Sequence, residues 1–390
     1  MAGVAINDVA GAAFWLYTVF AIAAVSLSAA SRRSPVILAL VNFGFCAILL
    51  GTWPACVLGL SIAALHGSCR SRRLCLRVIG TGLSAALLIS IFLVHKLSFA
   101  DHVMQSFKLI LAALGFSYVF LRGVEYLRAA QDDLVKDLKI ADTVNYLIPF
   151  HMLAAGPIMS FAEFRQHMTP KATLNREETL QAIERIAGGL FKKFVLANGI
   201  IQPLFLTDFK ADGWYFWVEL QFYYLFIYLD FSAYSDIAIG VGALLGYKTP
   251  ENFNKPLLAR NIIVFWERWH ISLSQFIRRN IYIPIQLSAM RLTKGEHAIL
   301  ISCAAFMMSF VICGLWHGLS WRFALWGVGH AAALIACTLY RETLVKAMGR
   351  KRAQAFSERR WVQFTSTFLT FEFVAISLAF LAVPELSFLD

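Results

Sequence analysis

Long apolar stretches alternate with short polar ones along almost the whole chain. Residues 12–30 form a first run, stopped by Arg32-Arg33, and residues 35–66 form a second. As a single helix the second would reach about 48 Å at 1.5 Å per residue, more than a ~30 Å hydrocarbon core accommodates. Trp53-Pro54 is the expected break, giving a hairpin of two helices. Both flanks of the hairpin are basic (Arg32-Arg33, then Arg70, Arg72 and Arg73), which places them on the cytoplasmic side. Residues 74–95 predict another span and 103–121 a weaker one with Lys108 inside it. Residues 122–142 carry charge of mixed sign and predict an interfacial helix.

The pattern then becomes irregular. Residues 147–164 are apolar but contain Pro149, His151, Gly156 and Pro157, which predicts a kinked or re-entrant segment. Broken backbone at membrane depth persists only when buried in protein or lining a cavity. A polar amphipathic lead-in (171–185) precedes the run 186–206, which carries Lys192-Lys193 and is expected at an interface. Residues 214–246 are again too long for one span and include Glu219, Asp230 and Asp236. A helix is predicted over 259–283. Residues 297–315 and 321–340 read as two spans around a short turn. The segment 341–360 is strongly basic, and 361–383, interrupted by Glu372, is the last span. The expected fold is all-α and polytopic, with about ten to eleven membrane helices. The expected organisation is a single domain over 1–390. It comprises N-terminal helices to 145, a motif-bearing core at 146–335, and a basic loop and final helix at 336–390.

Composition sharpens this picture. The chain is 59% hydrophobic and 15% charged, against roughly 25% charged in soluble proteins, and its mean hydropathy is +0.64. The net charge of +11 is accounted for by cytoplasmic loops facing anionic lipid. No nucleic-acid module accompanies it, so membrane lipids and not nucleic acid are the expected partners. The first apolar run follows a start without Lys or Arg, so no cleavable signal peptide is expected. Seven cysteines lie mostly within apolar runs without a C-x-x-C pair, and no H-x-x-x-H pair occurs; no metal site is expected.

Ionisable residues within apolar segments are the candidate chemistry, because burying them in a bilayer costs several kcal/mol or more. His317 sits in Gly314-Leu315-Trp316-His317-Gly318, whose glycines permit close backbone approach and an irregular turn. Burial disfavours the imidazolium, so a neutral ring with a free acceptor nitrogen is expected there. Such a ring can take the proton of a hydroxyl as it attacks an acyl group. A core histidine bonded to a backbone carbonyl is the alternative. Trp266, His270 and Ser274 are spaced to share one helical face; His270 either supports the reaction or sits in an aromatic interfacial helix. Asp230, Ser232, Tyr234 and Asp236 form a polar island in which Asp230 and Tyr234 are placed to bond each other. The island reads as a cation site, as support for a histidine, or as structural. His330 faces away from His317 on a continuous helix, unless the glycine-rich turn intervenes. Glu372 is expected to pair with a buried Arg or Lys. A transporter using the same island is the competing class; matched broken repeats would mark it, and the sequence shows none.

Taken in order, these motifs resemble the membrane-bound O-acyltransferase family in its bacterial branch. The resemblance rests on Ala155-Gly156-Pro157-Ile158, Gly189-Leu190-Phe191-Lys192-Lys193, Asp230 to Asp236 and Asn252-Phe253-Asn254-Lys255-Pro256. It continues with Phe265 to Ser274, Tyr282-Ile283-Pro284 and Gly314 to Gly318. It implies a ring of membrane helices around a thinned centre, with tunnels from both faces meeting at a histidine. It further implies that His317 is the catalytic base and His270 its support, with Asp230, Ser232, Asn254, Trp266 and Trp316 lining the substrate site. By the same resemblance the substrates are a thioester donor (acetyl-coenzyme A or an acyl carrier protein) and a hydroxyl of an exported or envelope glycan. No permanently bound cofactor is implied. A bacterial cytoplasmic-membrane location follows, as does an extracytoplasmic acyl-handling partner.

Overall fold

The computed structural model describes residues 11–28, 34–70, 74–96, 111–112, 114–168, 174–206 and 213–382. Arg32-Arg33, Arg72-Arg73, the stretch 101–110 with Lys108, and residues 171–173 of the expected lead-in lie outside them. Among the described residues the secondary structure is helical throughout, without strands. The chain forms two compact units. One comprises the residues up to Gly189 together with Tyr234–Pro250, the other Leu190–Ala233 and the chain from Glu251 onward.

The first unit begins with α1 (Ala12–Ser28), α2 (Ser34–Leu50), α3 (Thr52–Arg70) and α4 (Leu74–Lys96). The predicted hairpin is present as α2 and α3, which pack together. Its turn is at Gly51, whose φ of 83° favours glycine. Pro54 lies inside the first turn of α3, where a missing N–H costs little. Next come α5 (Phe116–Gln131) and α6 (Ile140–Leu147). The expected interfacial helix is corrected here, because α5 is buried and Arg122 is 0% exposed. Its guanidinium donates to the Met152 carbonyl (2.7 Å) and lies 3.5 Å from that of Leu147. One carbonyl ends α6 and the other lies in the irregular stretch that follows it, so a charge that reads as interfacial in the sequence satisfies broken backbone instead.

That stretch runs through a 3-10 turn (Phe150–Met152) and extended backbone to the short helix α7 (Phe161–Gln166). Ser160 and Glu163 form a reciprocal capping box at its start. Phe150, Leu153 and Ile158 are almost wholly buried, as broken backbone at membrane depth requires. Gly115 precedes α5 at φ 63°, where an added Cβ would lie 2.3 Å from the Leu153 carbonyl. The helix α8 (Arg176–Leu190) continues into a π-helix (Phe191–Ile201) and then α9 (Gln202–Phe205).

Residues 214–246, expected to be too long for one span, form one uninterrupted 32-residue helix, α10 (Gly213–Leu244). It is long enough to exceed a hydrocarbon core by several turns, and the division between units falls within it at Ala233–Tyr234. The rest of the second unit is a 3-10 turn (Pro256–Leu258), α11 (Ile262–Arg268), α12 (Ile271–Ile277), a π-turn (Arg278–Tyr282) and α13 (Ile283–Leu292). The long hairpin α14 (Ala298–His317) and α15 (Trp321–Met348) follows, then α16 (Arg350–Ser357), α17 (Arg360–Ser377) and α18 (Ala379–Ala382). The continuous helix expected over 259–283 is therefore corrected to two short helices. Six described helices are long and apolar enough to cross a membrane, and α1 and α2 are shorter apolar ones. The ten to eleven expected segments include short or broken ones, as the chain shows at 147–166 and 256–292.

Candidate functional site

The hairpin of α14 and α15 sets the site. Two glycines, one on each helix, let the backbones touch. A Cβ on Gly314 would lie 2.1 Å from the Phe323 carbonyl, and one on Gly327 would lie 2.3 Å from that of Phe310. Small residues at such crossings are what allow membrane helices to approach closely. His317 ends α14, and the turn Gly318-Leu319-Ser320 starts α15. Its imidazole is exposed and ringed by aromatics: Trp316 at 4.7 Å, Trp326 at 5.5 Å and Phe323 at 6.5 Å between centroids. The sealed, desolvated position expected for it is corrected to an accessible helix end beside a buried wall, since Trp316 and Trp326 are under 10% exposed.

His270 occupies the junction between α11 and α12. Its φ and ψ are 43° and 53°, a left-handed conformation that is uncommon for any residue but glycine and recurrent at functional sites. This is the break in the expected helix, so Trp266, His270 and Ser274 do not share a continuous stripe. Asn252, 0% exposed, holds the junction. Its carbonyl accepts from Ile271 N (2.9 Å), and its Oδ1 accepts from the Ser272 hydroxyl (2.8 Å) and lies 3.3 Å from the Ser272 amide. Those donors identify the side-chain oxygen, so the His270 Nδ1 at 3.0 Å must carry its proton and donate. In the neutral ring Nε2 is then the acceptor nitrogen. Phe231 closes over the ring at 4.7 Å. The Trp326 indole meets both the His317 ring (5.5 Å) and the His330 ring (4.5 Å), which joins these two histidines within the second unit.

The polar island divides between the units. In the second, Asp230 pairs with Lys193, and the Lys192 ammonium donates to the Ser232 hydroxyl (3.2 Å). Both lysines come from the π-helix, a form frequent at functional sites. In the first, Asp236 pairs with Arg185 at 3.0 Å, and the Tyr234 hydroxyl bonds the backbone of Ala154 and Ala155. The expected Asp230–Tyr234 bond is thus replaced by a separate partner for each. Glu372, expected to pair with a cation, instead accepts from the Trp217 indole (2.8 Å) and the Gln221 amide (3.4 Å). Trp266 is buried and donates its indole N–H to His330. Asn254 is exposed; its neighbour Asn252 makes the contact to His270. The sequence reading passed over Asn252 and Ser272, although Asn252 opens the same motif that pointed to Asn254.

Membrane-length helices define a multi-pass membrane protein, and in its second unit His317 and His330 lie among aromatic rings. The sequence model of the membrane-bound O-acyltransferase family matches residues 83–376, and the chain belongs to that family. Over 278 residues it is 28% identical to a teichoic acid D-alanyltransferase of Streptococcus thermophilus, covering 68% of this chain and 66% of that protein. It is 37% identical over 193 residues to a peptidoglycan O-acetyltransferase of Helicobacter pylori (47% and 35% covered). A probable alginate O-acetylase of Azotobacter vinelandii is 30% identical over 229 residues (58% and 44% covered). The chain therefore spans about a third to two thirds of the length of these relatives.

Proposed function

We propose that the protein transfers an acyl group, acetyl in the first instance, from a thioester donor to a hydroxyl of a cell-envelope or exported glycan. His317 is the base. Its ring takes the hydroxyl proton as the oxygen attacks the thioester carbonyl, and returns a proton to the departing sulfur. His270 is the supporting histidine, its acceptor nitrogen fixed by Asn252. Asp230, Ser232, Trp266 and Trp316 line the substrate site. The observation that carries this reading is an accessible imidazole held at a glycine-tightened helix end, with a second histidine locked in one tautomer nearby. The donor is coenzyme A-bound or carrier-bound, and an extracytoplasmic protein receives or passes on the acyl group. The location is the bacterial cytoplasmic membrane. A second reading, D-alanyl transfer to teichoic acid, is supported by the Streptococcus relative.

The test is to supply the purified protein in liposomes with acetyl-coenzyme A or an alanyl-loaded carrier and a glycan or teichoic acid acceptor. Thiol release coupled to an ester product in the mass spectrum is expected with one donor–acceptor pair. Movement of solute across the vesicle without any ester would overturn the reading in favour of a transporter.

A further inference from the structure

His330 lies on α15, about two and a half turns beyond the start of the helix, and is 1% exposed. The Trp266 indole nitrogen is 3.3 Å from its Nδ1, and its Nε2 is 3.1 Å from the Ser377 hydroxyl, whose own proton goes to the Val374 carbonyl at 2.7 Å. Each direction is forced. An indole N–H only donates, so Nδ1 must present a lone pair. Ser377 spends its proton on α17, so its oxygen accepts and Nε2 must carry the hydrogen. Read from either end, the ring is the neutral Nε2–H tautomer, and moving the proton to Nδ1 would set two donors against each other.

Aromatic rings enclose it on the remaining sides. Trp326 lies at 4.5 Å, Phe373 at 5.1 Å and Trp266 at 5.3 Å between centroids. Trp326 also meets the His317 ring at 5.5 Å and 84°. A ring with no rotational freedom thus backs the indole that forms one wall of the His317 environment, and it ties α11, α15 and α17 to that wall. His330 offers no unused nitrogen for proton transfer, which separates it from His270.

We infer that His330 is a positioning residue for the His317 centre: fixed in one tautomer by Trp266 and Ser377, it seats the Trp326 indole against the base. This rests on the reading of His317 as that base. A modest displacement of a reacting group lowers turnover on the order of 100-fold, whereas substrate affinity set elsewhere is unaffected.

Two measurements test it. Histidine-selective 15N NMR of the full-length protein in detergent, with the His330 signal assigned by its loss in His330→Asn, reads the tautomer without any assay. A neutral Nε2–H form is expected, and an Nδ1–H or doubly protonated ring overturns the inference. In the second, thiol release from acetyl-coenzyme A, or from the loaded carrier if wild type uses only that, is followed in Trp266→Phe, His330→Leu and His330→Asn. Folded His330→Leu should lose kcat by about 10- to 100-fold with KM within about twofold, and folded Trp266→Phe, whose ring also lines the proposed substrate site, should lose kcat to a similar extent. His330→Asn, whose side-chain oxygen can accept from Trp266, should keep more of kcat than His330→Leu. Unchanged kcat in both folded variants would overturn the inference, as would losses confined to thermal stability. Full activity in His317→Ala would instead remove the base on which it rests, a distinguishable failure.

Discussion

The two units use buried polar groups in different ways. In the first, polar side chains bond across helices and back to backbone. His66 Nδ1 meets the Thr143 hydroxyl at 2.8 Å, and Tyr126 meets the same hydroxyl at 3.0 Å. Asn42 donates to Asn145 (3.0 Å) and accepts from the Phe150 amide (2.9 Å), while Asn145 donates to the Pro35 carbonyl. These bonds fasten α2, α3, α5 and α6 around the broken stretch after α6. In the second unit, histidines are fixed in single tautomers and set among aromatic rings near an exposed imidazole. One arrangement spends its hydrogen bonds on holding backbone in place; the other spends them on deciding which nitrogen carries a proton. Substitutions in the first should therefore change stability, and those in the second turnover.

The largest expected effect is that of His317→Ala, which removes the proposed base. Turnover should fall by about 10²- to 10⁴-fold with the melting temperature nearly unchanged, because the ring is exposed. Next comes Gly314→Ala. Its Cβ would meet the Phe323 carbonyl at 2.1 Å, so the hairpin must open and carry His317 with it. A loss of about 100-fold in kcat, together with a lowered melting temperature, is expected. Asn252→Ala should cost less, about 10-fold in kcat, since His270 stays in place but loses the acceptor that fixes its tautomer. Smallest for activity is Thr143→Val in the first unit. Specific activity of the folded fraction should match wild type, while stability falls by about 1–3 kcal/mol from the lost buried hydrogen bonds. A Thr143→Val variant with normal stability and impaired turnover would break the contrast between the units.

How much of this was legible in the sequence depended on whether a signal was local. Glycines flanking Trp316-His317 announce a tight crossing, and Pro149, Gly156 and Pro157 announce broken backbone; both are visible without neighbours. The turn at Gly51 was misplaced onto Pro54 because proline is tolerated in a first helical turn. Arg122 reads as interfacial in composition, since only the fold shows which carbonyls it reaches. His270 breaks a helix that periodicity treats as continuous, because nothing in its identity signals a left-handed backbone. The choice between Asn252 and Asn254 was illegible for the same reason, as a short turn determines which of two nearby asparagines faces inward. His330 looked misdirected from His317 because the rotation was counted along one helix, whereas the Gly318–Ser320 turn divides two.

The role of His317 is tested most directly by single-turnover release of thiol from the donor by purified His317→Ala, with folding verified by its melting curve. Release slowed by at least about 100-fold relative to wild type, with donor binding preserved, is the predicted result. A folded variant that releases thiol and forms the ester product at the wild-type rate would contradict it.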